Sequence, residues 1–286
     1  MSDDKPWYDN LFEHTKRIKD VWSTFSWFRD RFRGKSTESA GNDRSPGILI
    51  IGPGGTGKTT LARTLSGQMV GWVFGEDWKY AESYFEEHYN LLTDLNVEIV
   101  VPSGQEFRRP SSWAEVQRDI SNGRYAGIIL VASFGYHSFS GQGYKSHRLF
   151  DGSKERFMNR FLEEKQKEEL AVLEQIKPAM ETAPGKLWLF TAVTKQDLWW
   201  SSRQEVEGLF TSGAWGSMLR EVALKRGDQA FLSELAFVSL LPANLEDPEG
   251  VELARTAAGF DSQKQAVSMQ NLLKKLIALK NWEARS

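Results

Sequence analysis

The sequence contains no cysteine among its 286 residues. Disulfide bonds, thiolate metal ligands and a cysteine nucleophile are therefore excluded. The sequence also lacks an apolar run that approaches the roughly 18 residues needed to cross a bilayer as a helix. Its first ten residues, MSDDKPWYDN, have neither the basic start nor the apolar stretch of a secretory signal peptide. Without a membrane span or a signal peptide, we expect a cytoplasmic protein.

Strong charge of one sign is absent as well. The 36 lysines and arginines nearly balance the 38 aspartates and glutamates, and the formal net charge is -2. A chain with this balance has no overall attraction for nucleic acid, so no nucleic-acid partner is expected. Histidines are few and show no metal-ligand spacing, and we expect them in surface or packing positions. They are His14, His88, His137 and His147.

Aromatic residues are abundant, with 11 tryptophans and 17 phenylalanines, several of them near the N-terminus. Residues 1–33 are predicted as an amphipathic N-terminal helix, because apolar residues recur there every seven positions. These residues are Leu11, Ile18, Phe25 and Phe32. Three roles stay open for this helix: docking on the rest of the chain, binding a protein partner, or lying on a membrane surface, against which its acidic residues count. Residues 34–46 have a linker composition, and residues 47–286 form the predicted main domain.

Short apolar runs alternate with helical patterns throughout the main domain. The strand-like runs are Ile48–Ile51, Val97–Val101, Ala126–Ala132, Leu187–Val193 and Leu235–Leu241, and the helical runs are Thr59–Leu65, Trp113–Ile120, Lys154–Lys177, Glu205–Arg226 and Gln263–Trp282. Nearly continuous apolar strands are typical of parallel sheets buried on both faces. The more polar run Ser83–Leu92 suits an edge strand antiparallel to the run beginning at Val97. We therefore predict an α/β fold with a doubly wound, mostly parallel sheet of about six strands.

Three further segments can be placed from composition. Residues Tyr136–Ser153 are rich in glycine and serine and are predicted as a loop insertion at the functional edge. The charged run Glu163–Glu169 is predicted as the solvated face of a helix. The pair Trp199-Trp200 is expected to pack below the site, although a surface for a protein partner stays open.

The sequence GPGGTGKTT at residues 52–60 matches the phosphate-loop pattern G-x-x-x-x-G-K-[ST]. It follows a predicted buried strand and precedes a predicted helix, as that pattern requires. Glycines let backbone N–H groups turn towards an anion, and the helix N-terminus adds its dipole. Lys58 is expected on the terminal phosphates and the Thr59 hydroxyl on Mg²⁺. The predicted phosphate-binding residues are Gly52, Gly54, Gly55, Thr56, Gly57, Lys58, Thr59 and Thr60.

A phosphate loop alone leaves ATP and GTP equally open. The tetrapeptide Thr194-Lys195-Gln196-Asp197 follows the buried run LWLFTAV and resembles the [NT]-K-x-D guanine-specificity motif of the Ras-like GTPase superfamily. The resemblance implies that Asp197 accepts hydrogen bonds from guanine N1–H and N2–H₂, a donor pair that adenine lacks. It also implies that Thr194 and Lys195 belong to the nucleotide site, with the Lys195 stem against the base.

A third segment, VEIVVPSGQEFRR, resembles the family's D-x-x-G-Q-E segment. The resemblance implies that the Gly104 N–H meets the γ-phosphate and that Gln105 orients the attacking water. Val101 stands where the family has an aspartate that organises magnesium. This departure implies weaker metal binding and leaves hydrolysis open.

Two other family elements are incomplete. Residues 70–92 contain no threonine to serve as the switch threonine, and Ser83 is the sole serine there. The base-contacting S-A-K segment corresponds best to Ser239-Leu240-Leu241, which keeps only the serine. The order of motifs along the chain nevertheless matches the family over residues 46–282.

The resemblance implies a Ras-like protein that binds GTP or GDP with Mg²⁺ and hydrolyses GTP slowly as a molecular switch. Two alternatives stay open at this point. One is a nucleotide-binding scaffold that does not hydrolyse GTP and recruits a partner through the N-terminal helix. The other is an ATP-using kinase, for which Arg108 and Arg109 form the single adjacent arginine pair that could serve a second substrate.

Overall fold

The computed structural model describes residues 47–66, 87–90, 98–101, 110–139 and 141–285. The predicted N-terminal helix and linker lie outside these residues, as do Gly104 and Gln105. None of the described helices is long and apolar enough to span a membrane.

One sheet of six strands forms the centre of the described part of the chain, in the order β2-β3-β1-β4-β5-β6. Its strands are β1 Gly47–Ile51, β2 Glu87–Asn90, β3 Glu98–Val101, β4 Tyr125–Ala132, β5 Leu187–Val193 and β6 Phe231–Phe237. Strands β3, β1, β4, β5 and β6 are parallel to one another, and β2 pairs antiparallel with β3 at the edge. The predicted α/β architecture with a mostly parallel sheet is confirmed, and the predicted antiparallel edge strand is found.

Helices cover both faces of the sheet. They are α1 Lys58–Leu65, α2 Pro110–Ser121, α3 Lys154–Thr182, α4 Gln196–Trp199, α5 Arg203–Thr211, α6 Ala214–Arg226 and α7 Ser262–Glu283. A single helix over Glu205–Arg226 was predicted, and this prediction is wrong. The helical path is interrupted at Gly213, whose N–H donates to the Gly208 carbonyl at 2.9 Å. The next helix starts at the following residue.

The last strand of the sheet also differs from its prediction. The apolar run indicated Leu235–Leu241, whereas β6 spans Phe231–Phe237. Strand β6 is an edge strand with several half-buried positions, so Ser233 and Glu234 are tolerated within it. Ser239 therefore lies beyond the strand, in the connection that follows it.

Alternation of side chains explains why the strands are apolar at nearly every position. In β1, Leu49 and Ile51 enter one buried cluster, while Ile48 and Ile50 enter another on the opposite face. Successive side chains of a strand point to opposite faces, so both must be apolar when helices cover both sides. The carboxyl ends of the parallel strands lie in one row, and there the loop at residues 52–57 meets the TKQD segment.

A small third cluster lies beside this row. Tyr144, Phe157 and Leu253 are buried together there, which joins the segment 136–153 to α3 and to a hairpin. The hairpin pairs β7 Leu245–Glu246 with β8 Glu252–Ala254. Strands of two and three residues give too little periodicity to be predicted from sequence.

Candidate nucleotide-binding site

Residues 52–57 form a tight loop between β1 and α1, as the phosphate-loop pattern predicts. A β-carbon at Gly52 would lie 2.3 Å from the Val131 carbonyl oxygen, so a larger residue there would collide with β4. Gly55 has φ +78°, and a β-carbon there would lie 2.6 Å from the backbone nitrogen of Ser138. These two positions require glycine for physical reasons that are independent of any ligand.

Lys58 and Thr56 both donate to the same carbonyl oxygen of the loop. The Lys58 Nζ lies 2.9 Å from the Pro53 oxygen, and the Thr56 Oγ1 lies 3.0 Å from it. The Lys58 side chain is 7% exposed, so its ammonium is held against the loop rather than extended into water. Thr59 and Thr60 follow in the first turn of α1 and are half-buried, and Gly54 is exposed at the tip of the loop.

The TKQD segment, Thr194 to Asp197, is hydrogen-bonded to this loop. The Thr194 hydroxyl donates to the Thr56 carbonyl at 2.6 Å and also lies 3.1 Å from the Ala132 carbonyl. Lys195 adopts a left-handed conformation with φ 55°, and its Nζ donates to the Ser138 hydroxyl at 3.0 Å. Ser138 in turn donates its N–H to the Gly55 carbonyl at 3.0 Å. The structure therefore brings the phosphate loop, Thr194 and Lys195 into one connected set of contacts.

Asp197 lies in α4 and is 1% exposed. Its Oδ1 accepts a hydrogen bond from the Ser239 hydroxyl at 2.6 Å. Its Oδ2 accepts from the Ala243 N–H at 3.2 Å and from the Thr256 hydroxyl at 3.3 Å. Burial raises the pKa of the Asp197 carboxyl, and these donors act in the opposite direction. Asp197 and Ser239 are thus neighbours, and both carboxylate oxygens already have partners within the chain.

The indole of Trp199 packs beneath these motifs. It is 1% exposed, and its Nε1 donates to the Thr194 carbonyl at 2.8 Å. This contact fixes the turn in which Lys195 takes its left-handed conformation. The predicted packing of the pair is therefore confirmed for Trp199, whereas Trp200 is only half-buried.

Glu169 is a residue of the site region that sequence reasoning placed wrongly. The run Glu163–Glu169 was predicted as a solvated helix face, yet Glu169 is 2% exposed. Its Oε1 accepts hydrogen bonds from the loop that follows β4, including one from the His137 Nε2 at 2.9 Å. Burial lowers the pKa of His137, although Glu169 raises it. No charge pattern in the sequence separates this glutamate from its exposed neighbours.

Burial also lowers the pKa of Lys195 to about 7, although Asp197 and Glu169 raise it. An unfolded lysine has a pKa of about 10.4, so the folded state binds fewer protons than the unfolded state between these two values. The contribution of Lys195 to the free energy of unfolding should therefore rise with pH above about 7. In Lys195→Met this contribution is absent, since methionine does not titrate.

We expect wild type to gain stability relative to Lys195→Met as the pH is raised from about 7 to about 9, within the window that these pKa values define. Urea unfolding of both nucleotide-free proteins at several pH values measures this difference. Lys145→Met, at an exposed lysine, controls for the loss of a lysine. Parallel pH profiles for wild type and Lys195→Met would contradict the expectation.

Several solved structures are similar to this chain at low sequence identity. No family model matches the chain, and no curated protein matches it. The small COPII coat GTPase SAR1 from Encephalitozoon cuniculi, solved with GDP, is 11% identical, covers 98% of both chains and has a TM-score of 0.39. The signal recognition particle receptor SRb-GTP/SRX complex from Chaetomium thermophilum is 14% identical, covers 69% of this chain and 92% of its own, and has a TM-score of 0.38. The bacterial dynamin GTPase LeoA from ETEC is 12% identical, covers 96% of this chain and 48% of its own, and has a TM-score of 0.34.

The order and the directions of the strands define the fold. A phosphate loop follows the central strand β1, the edge strand β2 is antiparallel, and the TKQD segment follows β5. This arrangement is that of the Ras-like P-loop fold.

Proposed function

We propose that this chain is a guanine-nucleotide-binding protein whose Ras-like domain spans residues 47–286. The observation that carries the proposal is the 2.6 Å hydrogen bond from the Thr194 hydroxyl to the Thr56 carbonyl. This bond fixes the TKQD turn against the phosphate loop, so that a base and a phosphate chain can be bound at one edge of the sheet. A TKQD sequence that matched by accident would not need this connection.

Phosphates would be bound by the backbone N–H groups of residues 54–59 and by Lys58. For this, the Lys58 Nζ exchanges the Pro53 carbonyl, now 2.9 Å away, for phosphate oxygens. The carbonyl is a neutral acceptor and a phosphate is charged, so the exchange is favourable. GDP or GTP is the proposed cofactor.

Mg²⁺ fits this site as an ion held mainly by the nucleotide. Among the described residues no group of three histidine, aspartate or glutamate side chains could hold a metal. Mg²⁺ needs few protein ligands when phosphate oxygens supply the others. The hydroxyl of Thr59, in the first turn of α1, is the proposed protein ligand.

Guanine would be recognised by Asp197, as the resemblance implies. The two chain donors on Oδ2, the Ala243 N–H at 3.2 Å and the Thr256 hydroxyl at 3.3 Å, must then give way to N1–H and N2–H₂ of the base. Both contacts are at the long end of hydrogen-bond distances, so their loss costs little compared with two bonds to guanine. Ser239 keeps its 2.6 Å bond to Oδ1 and holds the carboxylate in place.

Slow GTP hydrolysis is the proposed activity, with the protein acting as a molecular switch. Gly104 would donate its N–H to the γ-phosphate, and Gln105 would orient the water. Slow turnover is expected because Val101, the last residue of β3, replaces the aspartate that organises magnesium in the family. The segments at 70–82 and 102–112, the second of which ends in the first turn of α2, would change conformation with the nucleotide and contact a protein partner.

Val101 favours a second candidate function, a scaffold that binds nucleotide without hydrolysing it. In such a scaffold the predicted helix at 1–33 would recruit the protein partner. The same helix could also bind a membrane surface. Cytoplasmic localisation is proposed for both candidates.

The nucleotide carried by the purified protein tests the proposal. Denaturing the protein and separating the released nucleotides should yield GDP or GTP in amounts close to one per chain. If the purified protein carries no nucleotide, it is titrated with GDP and with ADP. GDP should bind more tightly than ADP. Equal affinity for the two nucleotides would refute the guanine assignment. Release of phosphate from bound GTP then separates the switch from the scaffold.

A further inference from the structure

Glu169 lies in the middle of α3, outside every motif that the sequence suggests for the site. Its Oε1 accepts four hydrogen bonds from the loop after β4. The donors are the Ser133 N–H at 2.8 Å, the Ser133 hydroxyl at 3.1 Å, the Gly135 N–H at 3.1 Å and the His137 Nε2 at 2.9 Å. The carboxylate is 2% exposed and the imidazole 1%, so water does not compete for these contacts.

The loop that Glu169 holds ends at the phosphate loop. Ser138 follows His137 directly and donates its N–H to the Gly55 carbonyl at 3.0 Å. The Ser138 hydroxyl lies 3.0 Å from the Lys195 Nζ. A single serine therefore touches both the phosphate loop and the lysine of the TKQD segment, and its backbone position is set by the residues on either side of it.

Strain in the same loop shows why an anchor is needed. Phe134 has φ 54°, a left-handed conformation that a phenylalanine adopts only when its surroundings impose it. Phe134 lies between the two backbone N–H donors to Glu169, those of Ser133 and Gly135. The carboxylate thus secures the strained turn on both sides.

We infer that Glu169 is a positioning residue for the nucleotide site: it fixes the turn 133–137 so that the Ser138 hydroxyl holds the Lys195 ammonium in its binding position. The inference rests on the proposed function, since it names a determinant of the same site. The inference is based on the four hydrogen bonds that Glu169 Oε1 accepts, and not on a general role in packing. Glu168, the adjacent residue, is 41% exposed at its side chain and reaches the far side of the His137 ring, with its Oε2 4.0 Å from the Nδ1. Glu163, one of the other glutamates of α3, is exposed.

Glu169→Gln provides the test, because glutamine keeps an acceptor oxygen at this place and loses only the charge. Charge-assisted hydrogen bonds are about twice as strong as neutral ones, so we expect the turn to loosen without unfolding. The dissociation constant for fluorescent GDP should rise by roughly tenfold in Glu169→Gln and stay unchanged in the matched control Glu163→Gln, at an exposed glutamate of the same helix. Ser133→Ala, which removes one of the four donors, should show a smaller change in the same direction and serves if the glutamine variant does not fold.

A double-mutant cycle with Ser138→Ala separates positioning from a merely structural role. If Glu169 acts through Ser138, the loss of GDP affinity caused by Glu169→Gln should be clearly smaller when the Ser138 hydroxyl is already absent. An equal loss in both backgrounds, or GDP binding by Glu169→Gln at wild-type affinity, would overturn the inference. Wild-type protein that binds neither GDP nor GTP would instead refute the proposed function, before any variant is compared.

Discussion

Lys58→Ala should weaken the binding of GDP and GTP by about a hundredfold or more, because hydrogen bonds from an ammonium to phosphate are among the strongest in proteins. In the structure the Lys58 Nζ donates to the Pro53 carbonyl at 2.9 Å, and the side chain is 7% exposed. The ammonium is therefore already in the loop and needs little reorganisation to reach a phosphate. Equilibrium titration with fluorescent GDP measures the loss.

The fold should survive this change, since the loop backbone is held by other contacts, including the bond between Thr194 and Thr56. Thermal unfolding without nucleotide checks that Lys58→Ala is folded. Lys274→Ala, at an exposed lysine of α7, is the matched control and should bind as wild type does. If Lys58→Ala keeps wild-type affinity for GTP, the segment GPGGTGKTT is not the phosphate site, and the proposed function fails with it.

Local patterns made much of the fold predictable from sequence. Strand β5 was predicted with the boundaries that it has, because a fully buried parallel strand is a continuous apolar run with clear ends. The phosphate loop was predictable for a different reason. Two of its glycines, Gly52 and Gly55, are required because a β-carbon there would collide with Val131 or Ser138, so this part of the sequence pattern reflects the geometry directly.

Long-range contacts made the rest unpredictable. Glu169 has exposed and half-exposed charged neighbours, and only the approach of the loop after β4 to α3 distinguishes it. The partners of Asp197 are similarly distant, since Ala243 and Thr256 lie 46 and 59 residues further along the chain. A motif predicts what a residue can do, whereas the connections that bury it decide whether a ligand has to displace something first.

The prediction for base specificity depends on that burial. Asp197→Asn should abolish the preference for guanine and shift it towards xanthine nucleotides. Asparagine presents an N–H₂ group in place of one carboxylate oxygen, which no longer accepts from the guanine N2 amine but can donate to the carbonyl of xanthine. We expect GDP affinity to fall by about a hundredfold, because the buried polar groups of the site are then mismatched with the base.

Titration of wild type and Asp197→Asn with the diphosphates of guanosine, xanthosine and adenosine decides whether Asp197 reads the base. The chain offers a matched control in Thr256→Val, which removes a donor 3.3 Å from the carboxylate and leaves the carboxylate itself intact. This variant should keep the guanine preference and bind GDP at least as tightly as wild type, because one group that competes with the base is gone. The opposite pattern, with Asp197→Asn binding all three nucleotides as wild type does, would mean that Asp197 only ties α4 to the connection after β6. The phosphate loop would then remain the sole part of the proposed site.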